Sequence, residues 1–97
     1  MILHTVNAPP GSGPFEACLR CVAAKDQILL LGDGVYALTG SSDAINGLVN
    51  RGVGVHYLLE DVQALGVVFE PSIGHAVDVS GFVELTERCT RQLAWYV

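Results

Sequence analysis

A chain of 97 residues that is 51% hydrophobic and 15% charged has room for one core, not two, and too much hydrocarbon to stay disordered. Ten acidic residues against five basic ones give a net charge of −5. No basic run exists, so direct binding of a nucleic-acid backbone, which needs clustered cations, is not expected. No apolar run approaches the length that crosses a bilayer, and "MILHTVNAPPG" has no basic segment ahead of an apolar stretch, as a secretory signal would. Three cysteines, odd and few, fit a reducing cytoplasm better than a disulfide framework. The expectation is a soluble cytoplasmic domain spanning residues 1–97. Its apolar content, high for so small a sphere, hints at a buried subunit interface.

"ILHTVN" is short, apolar and β-branched, and reads as a strand over Ile2 to Val6 that runs into the Pro/Gly loop "APPGSGP". Pro14 suits a first helical turn, and Phe15, Leu19, Val22 and Ala23 follow at helical spacing on one face. "QILLLG" is a continuous apolar run stopped by glycine, as in a strand covered on both sides. "DGVYALTGSS" reads as a turn holding one helical turn. Ala44, Ile45, Leu48 and Val49 form a second helical stripe, with Asp43 as its cap and Gly52 as its stop. "VGVHYLL" is a third strand, after which Glu60 and Asp61 open a short helix that Gly66 closes. "HAVDVS" reads as a fourth strand, with Ser80 placed to cap a last helix, and "QLAWYV" as a final strand.

Strand and helix alternate with short connections. The fold class is therefore α/β: one small domain with an open, mostly parallel sheet of about five strands and helices on both faces. In such sheets ligands gather beyond the carboxyl ends of the strands, where the first loop, "GDG" (Gly32 to Gly34) and "LLED" would emerge.

The pair in "CLRC" is the sharpest chemical feature. On a helical wheel Cys18 lies at the border of the buried stripe and Cys21 further round toward solvent or a partner. One turn into a helix, the amide dipoles still favour a thiolate, the form that attacks a persulfide. Against this, cysteine in an apolar helix is often just a small buried side chain. A zinc site would want four ligands, and no second Cys-x-x-Cys or close His pair is present, so no metal is expected. His4, His56 and His75 are scattered singly and read as hydrogen-bonded or exposed rather than ligating. A thioredoxin-like dithiol would sit at the helix start, not within it. "GDG" reads as a tight turn before an anion nest, and Glu60 and Asp61 as helix capping before acid/base chemistry. No cofactor fingerprint is present.

"ILHTVNAPP", "CLRC", "LLLGDGVYAL", "VHYLLEDVQALGV", "VDVSGFVELTERC" and "QLAW", in order and over essentially the whole chain, resemble the DsrH/TusB family. That resemblance implies a subunit of a DsrEFH/TusBCD-like sulfurtransferase complex, a hetero-hexamer with DsrE/TusD-like and DsrF/TusC-like subunits. Such a complex relays persulfide sulfur from a TusA-like donor to a DsrC/TusE-like acceptor, for tRNA 2-thiouridine synthesis or for dissimilatory sulfur oxidation. The resemblance carries over Cys18, in the context Glu16 to Leu19, as the candidate persulfide carrier. It favours an auxiliary thiol there, because the principal carrier belongs to the DsrE/TusD-type subunit. Cys89 also falls where some members have a cysteine; Cys21 lies outside the family pattern and leaves open an exchange with Cys18. The alternative is a structural subunit that holds its relatives together and bears no sulfur. Whether the isolated chain pairs with itself stays open.

Overall fold

The computed structural model describes residues 1–39, 43–69 and 73–97. Five strands, β1 (Ile2–Val6), β2 (Gln27–Leu30), β3 (Gly54–Leu58), β4 (His75–Val77) and β5 (Arg91–Trp95), form one sheet in the order β4-β3-β2-β1-β5. Every pairing is parallel, for example His4 with Ile28 and Leu29 with His56. The helices are α1 (Gly13–Cys21), α2 (Asp43–Asn50), α3 (Leu59–Leu65) and α4 (Val79–Arg88), with a 3-10 helix over Gly32–Leu38. Parallel neighbours require crossovers, and each crossover puts a helix on one face of the sheet. The expected architecture is present.

The two faces are unequal. Val6, Ile28, Leu30, Val55 and Tyr57 pack with Phe15, Cys18 and Val22 of the first crossover, Ile45 and Leu48 of α2 and Val62 of α3. On the other face, among the described residues, α4 covers Leu3 and Leu29, using Leu85 and Cys89, with Phe82 and Val77 at the margin.

Three local expectations need correcting. First, α1 ends at Cys21, so Ala23 does not join its buried face: Val22 turns extended at φ −69°, ψ 136°, and the Ala23 N–H donates to the Asp26 carboxylate at 3.0 Å. Second, Ser80 does not cap α4. β4 is only three residues long, and Asp78 takes the cap, accepting from the Gly81 N–H at 2.8 Å. Third, Ala44 and Val49 of the α2 stripe are exposed, leaving Ile45 and Leu48 as its buried contacts. Asp43 is the first residue of α2, while Gly40 to Ser42, part of the expected turn, lie outside the described residues.

Gly47 sits within α2, with nothing within 4 Å of where a Cβ would be. Gly47→Ala should therefore raise stability by about 0.5–1 kcal/mol, the helix-propensity difference, read from denaturant midpoints at constant m.

Candidate functional site

The loops expected at the carboxyl edge of the sheet do meet there, and they are tied to one another. The Asp61 carboxylate accepts from the Gly32 N–H at 2.7 Å, linking the turn after β2 to the first turn of α3. The Gly34 N–H is bonded to the Leu31 carbonyl, and the Val97 N–H to Asn7 Oδ1. The "GDG" turn is thus no vacant nest for a foreign anion; the chain's own carboxylate occupies it. Asp61 serves a neighbouring loop rather than capping its own helix.

The start of α1 is closed in the same way. Ser12 Oγ accepts from the Phe15 N–H, and Glu16 reaches back to accept from the Gly11 N–H at 3.2 Å, one amide of the first helical turn and one of the loop ahead of it. Past this cap the helix descends into the core. Cys18 is the sixth residue of α1, about 7.5 Å along its axis from Gly13.

There the expectation of a border position fails. Cys18 is 1% exposed and stands among the residues of the larger core cluster, between the levels of Phe15 and Val22. Residues 15, 18 and 22 form the true i, i+3, i+7 stripe, and Leu19 is the marginal member. Burial, reinforced by repulsion from Cys21, pushes the Cys18 thiol up from 9.0 to about 12. The dipole of a nine-residue helix is outweighed by desolvation of the sulfur anion. Cys21, the last residue of the helix, is exposed. Cys89 is buried at the end of α4 under the opposite face, and burial raises its thiol too. Cys18 and Cys21 are the two thiols the fold brings near one another; Cys89 stands apart from both.

This arrangement fixes the order of thiol reactivity. At pH 8, iodoacetamide should modify Cys21 alone, with Cys18 and Cys89 labelled only after denaturation. Raising the pH to 9 should leave Cys18 unlabelled, since it titrates well above that. Peptide mapping of the alkylated chain checks this.

The feature that the sequence reading missed is a buried polar chain. His4 is 1% exposed and Asp26 is 6% exposed. His4 Nε2 lies 3.0 Å from Asp26 Oδ2, and the Trp95 indole N–H donates to His4 Nδ1 at 3.1 Å. An indole can only donate, so Nδ1 accepts, and Nε2 carries the proton that it gives to the carboxylate. Asp26 also accepts from the Ile2 and Ala23 N–H groups. Burial alone would raise the Asp26 pKa, but the hydrogen bonds from Ala23, His4 and Ile2 outweigh it and hold the carboxyl below its usual range. The network joins β1, the turn before β2 and β5. Its chemistry is that of a clamp, with His4, Asp26 and Trp95 each engaged by another member.

His56 and His75, in register on β3 and β4, have ring centres 5.6 Å apart. His56 is held well below the usual histidine range, at about 4, mainly by burial and then by the neighbouring His75 and Arg88 charges. Among the described residues no group of three or more His, Cys, Asp or Glu is placed to hold a metal ion, and no helix is long and apolar enough to cross a membrane.

The comparisons with known proteins agree with this fold. The family model "DsrH like protein" matches residues 8–92. The chain is 37% identical over 95 residues to the protein TusB of Escherichia fergusonii, covering 97% of this chain and all of that one. It is 36% identical over 97 residues to the TusB of Serratia proteamaculans, with the same coverage. Among solved structures, the ychN protein of E. coli superposes with a TM-score of 0.77 at 15% identity over 96% of both chains, a likeness of fold. Protein Tm0979 of Thermotoga maritima gives 0.64 at 25% identity over 91% of this chain and 93% of that one. A parallel five-stranded α/β domain matched along nearly its whole length by these relatives belongs to the DsrH family, the family of the TusB proteins.

Proposed function

We propose that the chain is a subunit of a sulfur-relay complex and that it contributes surface, not sulfur. The relay runs from a TusA-like donor to a DsrC/TusE-like acceptor, and the related DsrE/TusD-like subunit is the principal carrier of the persulfide. Family membership supports the complex. The observation that carries the division of labour is the burial of Cys18: a thiol at 1% exposure that titrates near 12 neither meets a donor protein nor supplies a thiolate at neutral pH.

The outer surface fits a subunit. Val79 and Val83, one turn apart on α4, are 56% and 50% exposed, and Leu93 on the edge strand β5 is 37% exposed. Apolar side chains left outside a small domain are what association covers. tRNA thiolation is the process we assign, in line with the TusB relatives.

Exposing the chain to inorganic polysulfide, then measuring intact mass and mapping peptides, tests the reading. A persulfide adds about 32 Da. The gain should appear on Cys21 or on no cysteine, and Cys18→Ala should leave the pattern unchanged. A gain of that size at Cys18 in the folded chain would instead support covalent carriage.

A further inference from the structure

The five lysines and arginines are scattered along the sequence, and the fold gathers them at one end of the sheet. All the strands run parallel, so they start together at an amino edge, and the helices that run back against them end there. Arg20 lies in the last turn of α1, Lys25 in the turn into β2, Arg51 just past α2, Arg88 at the end of α4 and Arg91 at the start of β5. Hydrogen bonds tie the first three into one patch. The Lys25 N–H donates to the Gly52 carbonyl, and the Arg51 guanidinium donates to the Leu19 and Val22 carbonyls. All five cations are exposed. Among the described residues the one ion pair is His4 with Asp26, so no carboxylate lies against any of them.

The carboxyl edge has the opposite sign. Glu16, Asp33, Asp43, Glu60 and Asp61 lie in first helical turns, and Asp78 caps α4. With every lysine and arginine at the far end, no cationic side chain of that kind offsets them. Of the other acids, Asp26 is buried with His4, Glu84 and Glu87 lie on α4, and Glu70 is outside the described residues. Helix dipoles favour acids at helix starts, and Arg20 and Arg88 at helix ends, but they do not call for Lys25 or Arg91. A five-residue strand spans about 13 Å, more than the Debye length of about 8 Å at physiological salt. The two edges therefore do not cancel, and each shows its own sign to a neighbour.

We propose that a second copy of this chain docks head to tail, with the carboxyl-edge carboxylates of one copy on the amino-edge cations of the next. The chain itself presents both complementary surfaces. Two copies of net charge −5 repel in other orientations, and like edges meeting about a two-fold axis would oppose like charges. Head-to-tail contact is heterologous: each docked copy leaves one edge of each sign free, so association does not stop at two. Exposed charges hold it, so it is weak and salt-sensitive. It stands independently of the sulfur-relay reading and uses neither Cys18 nor the apolar side chains of α4.

Sedimentation equilibrium of the full chain over a range of concentrations tests the docking, with Cys21→Ser throughout so that no disulfide joins copies. In low salt the average mass should climb past that of two chains. In about 1 M salt, where charges are screened within about 3 Å, it should return to that of one. Lys25→Gln with Arg91→Gln, and separately Asp43→Asn with Glu60→Gln, should each weaken association about tenfold. All four positions are exposed and stay polar, so both variants should fold. Mixing the two variants should restore one contact of wild-type strength, between the intact acidic edge of the first and the intact basic edge of the second, in pairs that grow no further. A chain that stays single in low salt would overturn the docking and leave the basic edge to a foreign acidic partner. Association that stops at two, survives high salt or gains nothing from mixing the variants would overturn it as well.

Discussion

Asp26→Ala should be among the most damaging single substitutions in this chain, lowering stability by about 3 kcal/mol or more. The carboxylate accepts three hydrogen bonds, from the Ile2 and Ala23 N–H groups and from His4 Nε2–H. Alanine would strand all three donors around a site that is 6% exposed. His4 would then lose the acceptor of its Nε2–H, and with it the alignment that lets Nδ1 accept from Trp95. For a domain of this size the loss corresponds to a melting temperature lower by roughly 12 °C or more. Asp26→Asn should recover little, because its one acceptor oxygen replaces two and its NH2 faces donors. The sign with pH follows from the carboxyl's lowered pKa. Its stabilisation is complete above the ordinary carboxylate range and fades as pH falls through the folded-state value, so the wild type should weaken in acid and the Asp26→Ala difference should shrink there. Melting curves that place Asp26→Ala within two or three degrees of wild type, a gap on the order of 0.5 kcal/mol, would remove the network from the account.

Gly34→Ala should cost about 2–3 kcal/mol, through backbone rather than side-chain crowding. The 3-10 helix passes so close to the end of β1 that a Cβ at Gly34 would be driven into the Val6 carbonyl oxygen. That oxygen cannot retreat, since it accepts from the Leu31 N–H at 3.0 Å and belongs to a strand paired on both sides. The residue is helical, so the requirement concerns space alone, and serine should be as harmful as alanine. Gly47→Ala, the same chemical change in open surroundings, should move stability the other way. Equal effects at the two positions in urea titrations would contradict the close approach.

The architecture could be read from the sequence because it rests on local pattern. "ILHTV", "QILL" and "GVHYL" are apolar enough to be strands covered on both faces, and each is followed by a helix within reach. Errors arose where a carboxylate three residues away took a backbone amide that the helical pattern had assigned elsewhere. The Asp26 carboxylate draws the Ala23 amide out of α1, which a wheel drawn over residues 15 to 23 cannot anticipate. Asp78 takes the α4 cap because β4 stops early at Val77. The border position of Cys18 came from including Ala23 in the stripe; once the helix ends at Cys21, the stripe rotates and takes Cys18 in.

The polar clamp and the histidine pair were illegible for another reason. His4 and Trp95 are separated by almost the whole chain, and only the pairing of β1 with β5 brings them together. His56 and His75 become neighbours only through the register of β3 with β4. Spacing in the sequence carries no trace of either. Sequence reading also placed the loops of the carboxyl edge correctly, yet it could not show that Asp61 and Glu16 had already filled the sites where an anion would sit.

The central claim is that the sulfur atom of Cys18 is a packing group and that this subunit acts by holding its relatives together. Sulfur flux through the reconstituted three-subunit complex, from a loaded TusA-like donor to the DsrC/TusE-like acceptor, tests it most directly when this chain carries Cys18→Ala. The account predicts an assembled complex with flux equal to wild type, and loss of both assembly and flux when the chain is omitted. An intact complex whose flux falls with Cys18→Ala would contradict it.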